Sequence, residues 1–130
     1  MIRYYIKKRA DPFDLPEGGL YKSRPLPNEI VNAIDKLPPL LRESAEENYL
    51  GLKVKWRTRL RTIYPPEENV VKVMLDTGEM GIALILCRVD ITQYPELKIA
   101  KTKQKLWIAG EITNIEFNRI YLSNCIVNID

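Results

Sequence analysis

From residue 52 onward, apolar and polar side chains change places at every step; ahead of it they recur every three or four residues. The alternating half predicts five strands, at about 52–63, 69–76, 81–89, 104–114 and 119–128. Turn-like breaks separate them: Tyr64-Pro65-Pro66-Glu67-Glu68, Asp76-Thr77-Gly78-Glu79, a polar stretch over 90–103, and Glu116-Phe117-Asn118. In the earlier half, Asn28 is placed as an N-cap, and Ile30, Ile34 and Leu37 share one helical stripe before Pro38 and Pro39 stop it. A second helix is expected from Pro39 to Leu50, with Leu41, Ala45 and Tyr49 on one side and Glu43, Glu46 and Glu47 on the other. Gly51 supplies its stop.

Residues 10–27 hold four of the nine prolines and two of the six glycines, so they predict an irregular arm. Before it, Ile2, Tyr4 and Ile6 alternate with Arg3, Tyr5 and Lys7 as in an amphipathic strand, and Lys7, Lys8 and Arg9 suit a solvated strand end. The organisation expected is an arm over 1–27, a helical lead-in over 28–50 and a β-domain over 51–130. Two close hairpins, a longer connection and a last hairpin give a three-plus-two strand pattern. The fold expected is mainly β: a five-stranded antiparallel Greek-key barrel of the OB-fold type, its long first strand serving two sheets.

The fourth-strand and first-strand sequences carry a resemblance. NYLGLKVKWRTRLRTI leads into the barrel, and KLWIAGEITNIEFNRIYLSNCIVNI closes it. Together they resemble the tRNA-anti-like family of OB-fold domains, over about residues 40–130. Where such domains often carry Gly-Asp or Gly-Lys before the fourth strand, Lys103-Gln104 stands here. The resemblance implies an OB barrel of bacterial type and, by analogy of fold, single-stranded nucleic acid or another chain as ligand.

Composition narrows the chemistry. The 130 residues are 45% hydrophobic and 28% charged, which suits a single folded domain. A net charge of +3 is mild, so any basic surface must be local. There is no histidine, which removes the usual general base and the commonest zinc ligand. No phosphate loop or metal-ligand spacing is present, so no enzyme activity, cofactor or metal is expected. No run of apolar residues is long enough for a membrane span, and the charged start lacks the apolar stretch of a secretory signal. Cys87 and Cys125 are too few for a disulfide framework and fit a cytoplasmic, reducing setting. Both are expected to be reduced and buried, on neighbouring strands.

One stretch carries the functional signal. In GLKVKWRTRLRT, Lys53, Lys55, Arg57, Arg59 and Arg61 fall at every second position. With Val54, Trp56 and Leu60 pointing inward, alternation sends all five cations outward at a spacing of about 6.6 Å. That matches the phosphate spacing of an extended single strand, roughly 6–7 Å. Trp107 should face outward beside them and Tyr121 should leave the fifth strand on the same side, while Tyr64 and Phe117 occupy the flanking loops. Cations with interleaved aromatics suit a single strand, phosphates on one and bases on the other. The same cations could instead pair across the sheet with acids such as Glu111. Two functions therefore stand: binding of single-stranded nucleic acid with little sequence preference, or a protein-interaction module using the arm, helices and basic face.

Overall fold

The computed structural model describes residues 20–78 and 83–129. The expected N-terminal strand, the Lys7-Lys8-Arg9 cluster, most of the arm and the start of the third strand lie outside these residues. Among the described residues two helices, α1 (Pro27–Asp35) and α2 (Pro39–Glu47), precede five strands: β1 (Lys53–Ile63), β2 (Val70–Asp76), β3 (Leu84–Asp90), β4 (Lys105–Glu116) and β5 (Arg119–Ile129). The strands close into a barrel in the order β1-β2-β3-β5-β4. This is the OB-fold order. One pairing differs from expectation: β3 and β5 run parallel, Leu84 to Cys87 against Arg119 to Leu122.

Closure rests on β1. Over Lys53–Arg59 it pairs with β4, and over Arg59–Ile63 with β2. A register shift between Leu60 and Thr62 makes the turn from one partner to the other. Up to Leu60 the burial alternates residue by residue, with Val54, Trp56, Thr58 and Leu60 inside. Past the bulge the inward position moves to Ile63. Thr58, a polar residue in the core, donates its hydroxyl to Leu106 O at 3.1 Å.

The barrel is filled by Trp56, Leu75, Ile85, Leu106, Ile108, Ile112 and Ile120, all essentially without solvent contact. Ile30, Val31 and Ile34 of α1 join this core. The cap of α1 differs from the sequence expectation. Leu26 is the N-cap, with Pro27 in the first helical position and the Leu26 N–H donating to the Glu29 carboxylate at 3.2 Å. Asn28 is freed for longer reach: its Oδ1 accepts from Ala83 N–H at 3.2 Å and its Nδ2 donates to Thr77 Oγ1 at 3.4 Å. The helix is thereby tied to the β2–β3 connection. Trp56 pins the preceding segment through its indole N–H, which donates to Pro25 O at 3.0 Å. By contrast α2, which ends at Glu47 and not at the expected Leu50, buries nothing fully; Leu40 and Leu41 are exposed, and Ala45, with Tyr49 in the turn after the helix, packs against the core.

A short 3-10 helix, Pro95–Lys98, brings Leu97 into the core on the way to β4. The approach to β4 then uses Lys103 at φ +74°, where its N–H meets Leu60 O at 2.7 Å. A left-handed backbone at a side-chain-bearing residue costs roughly 1 kcal/mol, which glycine avoids. Lys103 thus stands where glycine would fit best. Lys103→Gly is expected to stabilise the fold by about 1 kcal/mol, read as a higher denaturant midpoint with an unchanged slope. A loss of stability would mean that the lysine side chain contributes more than the backbone strain.

Candidate functional site

The five cations of β1 do leave the barrel on its outer face, but they do not form one uniform row. Arg59 Nε donates to Asp76 Oδ1 at 2.7 Å, and Arg61 Nη1 lies 4.0 Å from Asp76 Oδ2. Asp76 sits on β2 directly opposite Arg59 and also accepts from Gly78 N–H at 2.8 Å. The acid that meets Arg59 and Arg61 is thus Asp76, while Glu111 faces Lys53 in the β1–β4 register. The pairing partner was invisible in the strand itself because it arrives from a neighbour.

Lys53, Lys55 and Arg57 occupy the other half of β1. Arg57 stands opposite Trp107 in the β1–β4 register, with its guanidinium carbon 5.6 Å from the indole centroid. That is cation–π distance. Trp107 is outward and half-buried, as alternation requires.

Tyr121 is not beside this row. It pairs with Leu86 of β3 and Asn114 of β4, at the opposite end of β5 from the residue that faces Trp107, Asn128. There it lines a cleft of about 340 Å³ with Lys72, Arg88, Thr113, Ser123 and Asn124. Lys72 and Arg88 face each other across β2 and β3. Both also line an adjoining cleft of about 520 Å³ that reaches the β1–β2 loop at Tyr64, Pro65, Glu67 and Glu68. Tyr64 is held there by its N–H, which donates to Lys72 O at 2.9 Å, and the Lys72 ammonium lies 5.4 Å from its ring centroid. The two clefts share Lys72 and Arg88, so one groove crosses β2, β3 and β5 with a tyrosine near each end. Phe117, at φ +58° and 80% exposed, stands at the tip of the β4–β5 turn.

Sequence reading missed Lys72 and Arg88. Each is a single cation in an apolar strand, and only the β2–β3 register brings them together. Alternation alone would have marked them as outward-facing; their pairing needed the hairpin register.

Cys87 and Cys125 are free thiols on adjacent strands. Cys87 is buried, whereas Cys125 is only half-buried, which corrects the expectation for it. The Cys125 thiol hydrogen-bonded beside it, burial, and charge repulsion from Cys125 hold the Cys87 thiol well above its usual range. Among carboxylates, burial and the neighbouring Glu43 and Glu116 raise Glu46 on α2. Among the described residues no cluster of His, Cys, Asp and Glu is placed to hold a metal ion, and no helix is long and apolar enough to cross a membrane.

Neither a protein-family model nor a curated protein sequence matches the chain. Solved structures do match it in architecture. The OBody AM1L10 bound to hen egg-white lysozyme superposes with a TM-score of 0.51 at 11% identity, over 65% of this chain and 83% of that one. A Klebsiella pneumoniae protein assigned as a nucleic acid-binding lipoprotein gives 0.55 at 15% identity, over 75% and 84%. Replication protein A bound to single-stranded DNA gives 0.39 at 15% identity, over 62% and 60%. At such identities the likeness of the first two establishes the OB fold.

Two outcomes follow from this geometry. Asp76→Ala should cost about 1–2 kcal/mol, because it removes a charge-assisted bond to Arg59 and the Gly78 contact from a partly shielded site; a chemical-denaturation midpoint measures it. The Cys87 proton makes stability fall at high pH. An unfolded cysteine ionises near pH 8.5, whereas folded Cys87 keeps its proton above that, so stability is full below about pH 8.5 and declines as pH rises further. Cys87→Ala should flatten that decline, and an unchanged slope would assign it to other groups.

Proposed function

We propose that this chain is a non-enzymatic OB-fold module that binds single-stranded nucleic acid in the groove across β2, β3 and β5, with little sequence preference. The observation that carries the reading is that two clefts share Lys72 and Arg88, one lined also by Tyr121 and the other by Tyr64, with Glu67 and Glu68 at the loop end. Two cations at the centre suit phosphates, and a tyrosine towards each end suits stacking on bases, which every base allows. Phe117 on the β4–β5 turn is an additional stacking candidate, because that loop and the β1–β2 loop flank OB ligand sites. The Klebsiella protein of similar fold, assigned as nucleic acid-binding, supports the reading by analogy of fold.

Lys53, Lys55 and Arg57, with Trp107, extend the basic surface on the adjoining face of the barrel. Arg59 and Arg61 lie on the same face, with Asp76 between them. The tRNA-anti-like resemblance and a reducing, cytoplasmic setting are in keeping with this role. The alternative, a protein-interaction module, draws on α2, where Leu40 is 95% exposed and Leu41 lies beside it.

Fluorescence anisotropy with a labelled mixed-sequence single strand tests both. Two phosphate contacts at about 0.7 each predict a slope of log K on log salt near −1.4 from the groove, steeper if the β1 cations join. Lys72→Glu with Arg88→Glu should weaken every sequence alike. Tyr64→Ala or Tyr121→Ala should each cost roughly 1–3 kcal/mol with little change in slope. Binding that survives the groove reversals but falls with Arg57→Glu would move the site to β1. No binding at low salt would favour the interaction module.

A further inference from the structure

The two ends of the barrel are closed unequally. At the end where β2 passes into β3, α1 inserts Ile30, Val31 and Ile34, and Asn28 bonds it to that connection. At the other end β1 turns into β2 and β3 leads on towards β4; there Ile91 N–H donates to Asn69 O at 2.8 Å. This second end is covered by the single 3-10 turn Pro95–Lys98, which contributes one buried side chain, Leu97. A cleft of about 450 Å³ is left between that turn and the β1–β2 loop.

The lining of the cleft has two parts. Its depth is made by Leu60, Val71 and Leu97, which belong to the core, and its rim by Tyr64, Lys98 and Thr102, which are exposed. No carboxylate lines it among the described residues; Glu67 and Glu68 line the neighbouring cleft instead. A well-held water needs roughly two to four polar partners, and so aliphatic a floor supplies few. An apolar body entering the cleft therefore displaces loosely held water, which favours binding.

The rim is positive. In KIAKTKQK, Lys98, Lys101, Lys103 and Lys105 fall within eight residues without an acid. Among the described residues none of the four is ion-paired. Lys98 lines the cleft itself, and Lys101 and Lys103 stand on either side of Thr102 in the chain. Their turn is fixed in place. Gln104 N–H donates to Lys101 O at 3.0 Å, Lys101 N–H to Gln104 Oε1 at 3.1 Å, and Lys103 N–H to Leu60 O at 2.7 Å. The site is thus formed before any ligand arrives. Its volume falls within the roughly 300–1,000 Å³ of small-molecule sites, for which the mouth of a β-barrel is a usual place.

We propose that this cleft binds a small anionic amphiphile, a medium-chain carboxylate whose chain lies on Leu60, Val71 and Leu97 and whose head meets Lys98. The proposal does not rest on the binding of single-stranded nucleic acid. A protein partner fits less well, because the apolar surface is confined to one cleft, whereas a stable interface buries roughly 800 Å² on each side. A neutral chain leaves the lysines unused, and a cationic head is repelled by them.

Amide chemical shifts of the whole chain test this, titrated with decanoate below its micelle concentration and with decanol as the neutral comparator. Decanoate should give saturable, one-site shifts centred on Leu60, Val71, Leu97 and Thr102. At low salt it should bind about three- to fivefold more tightly than decanol, the worth of one exposed ion pair. Added salt should narrow that gap. Lys98→Gln should bring decanoate down to the level of decanol. Ala100→Phe, which places a ring in the cleft, should abolish both while the barrel amides keep their dispersion. Shifts that do not saturate, or that centre elsewhere, would overturn the site. Equal affinity for decanoate and decanol, or a preference that survives Lys98→Gln, would overturn recognition of the head. Shifts at the cleft caused by a mixed-sequence single strand and not by decanoate would assign it to nucleic acid and overturn the proposal.

Discussion

The faces of the barrel are arranged by the closure of the sheet through β1. A five-stranded sheet left open would expose two edges and only half-bury its apolar face. Closure makes β1 serve β4 with its first half and β2 with its second, and the bulge at Leu60–Thr62 supplies the bend. Once that is set, alternation has no freedom: Val54, Trp56, Thr58 and Leu60 must fill the barrel, so the cations between them must face out. The basic stripe is as much a consequence of closure as a device for binding.

Closure also decides which charges meet. The turn onto β2 delivers Asp76 to the Arg59–Arg61 half of the stripe, while the β4 side delivers Trp107 to Arg57. Cations that read as equivalent along the strand thereby meet different neighbours, Asp76 at Arg59 and Arg61 and Trp107 at Arg57. On the other wall, Lys72 and Arg88 gain significance that neither has alone, because the hairpin register sets them face to face. The groove they centre is concave, and the β1 face owes its character to charge.

The lead-in helices play unequal parts. α1 places Ile30, Val31 and Ile34 in the core, and Asn28 bonds it to the β2–β3 connection, so it belongs to the barrel. α2 is amphipathic by sequence, yet Leu40 and Leu41 remain in solvent. Its Pro39 start and acidic outer side were legible, but the depth of its packing was not, since that depends on where the barrel leaves room.

The sequence alone determined the number, type and approximate bounds of the five strands, both helices, the inward set of β1 and the outward aim of Trp107. These follow from period and local turn chemistry, which act within a few residues. The Lys103-Gln104 pair stands on the approach to β4, where Lys103 takes a left-handed backbone that period and turn chemistry did not announce. Local signals failed wherever the deciding partner is distant in the chain. Asn28 looked like a cap because its type fits one, but Leu26 took that role once Asn28 bonded residues some fifty positions away. Tyr121 was assigned to the cation row from its outward direction, yet direction does not say which strand lies alongside. Cys125 was expected to be buried because its run is apolar, but the structure leaves it half-covered. Facing is fixed by alternation along one strand; neighbourhood is fixed by register between strands, and only the closed barrel sets it.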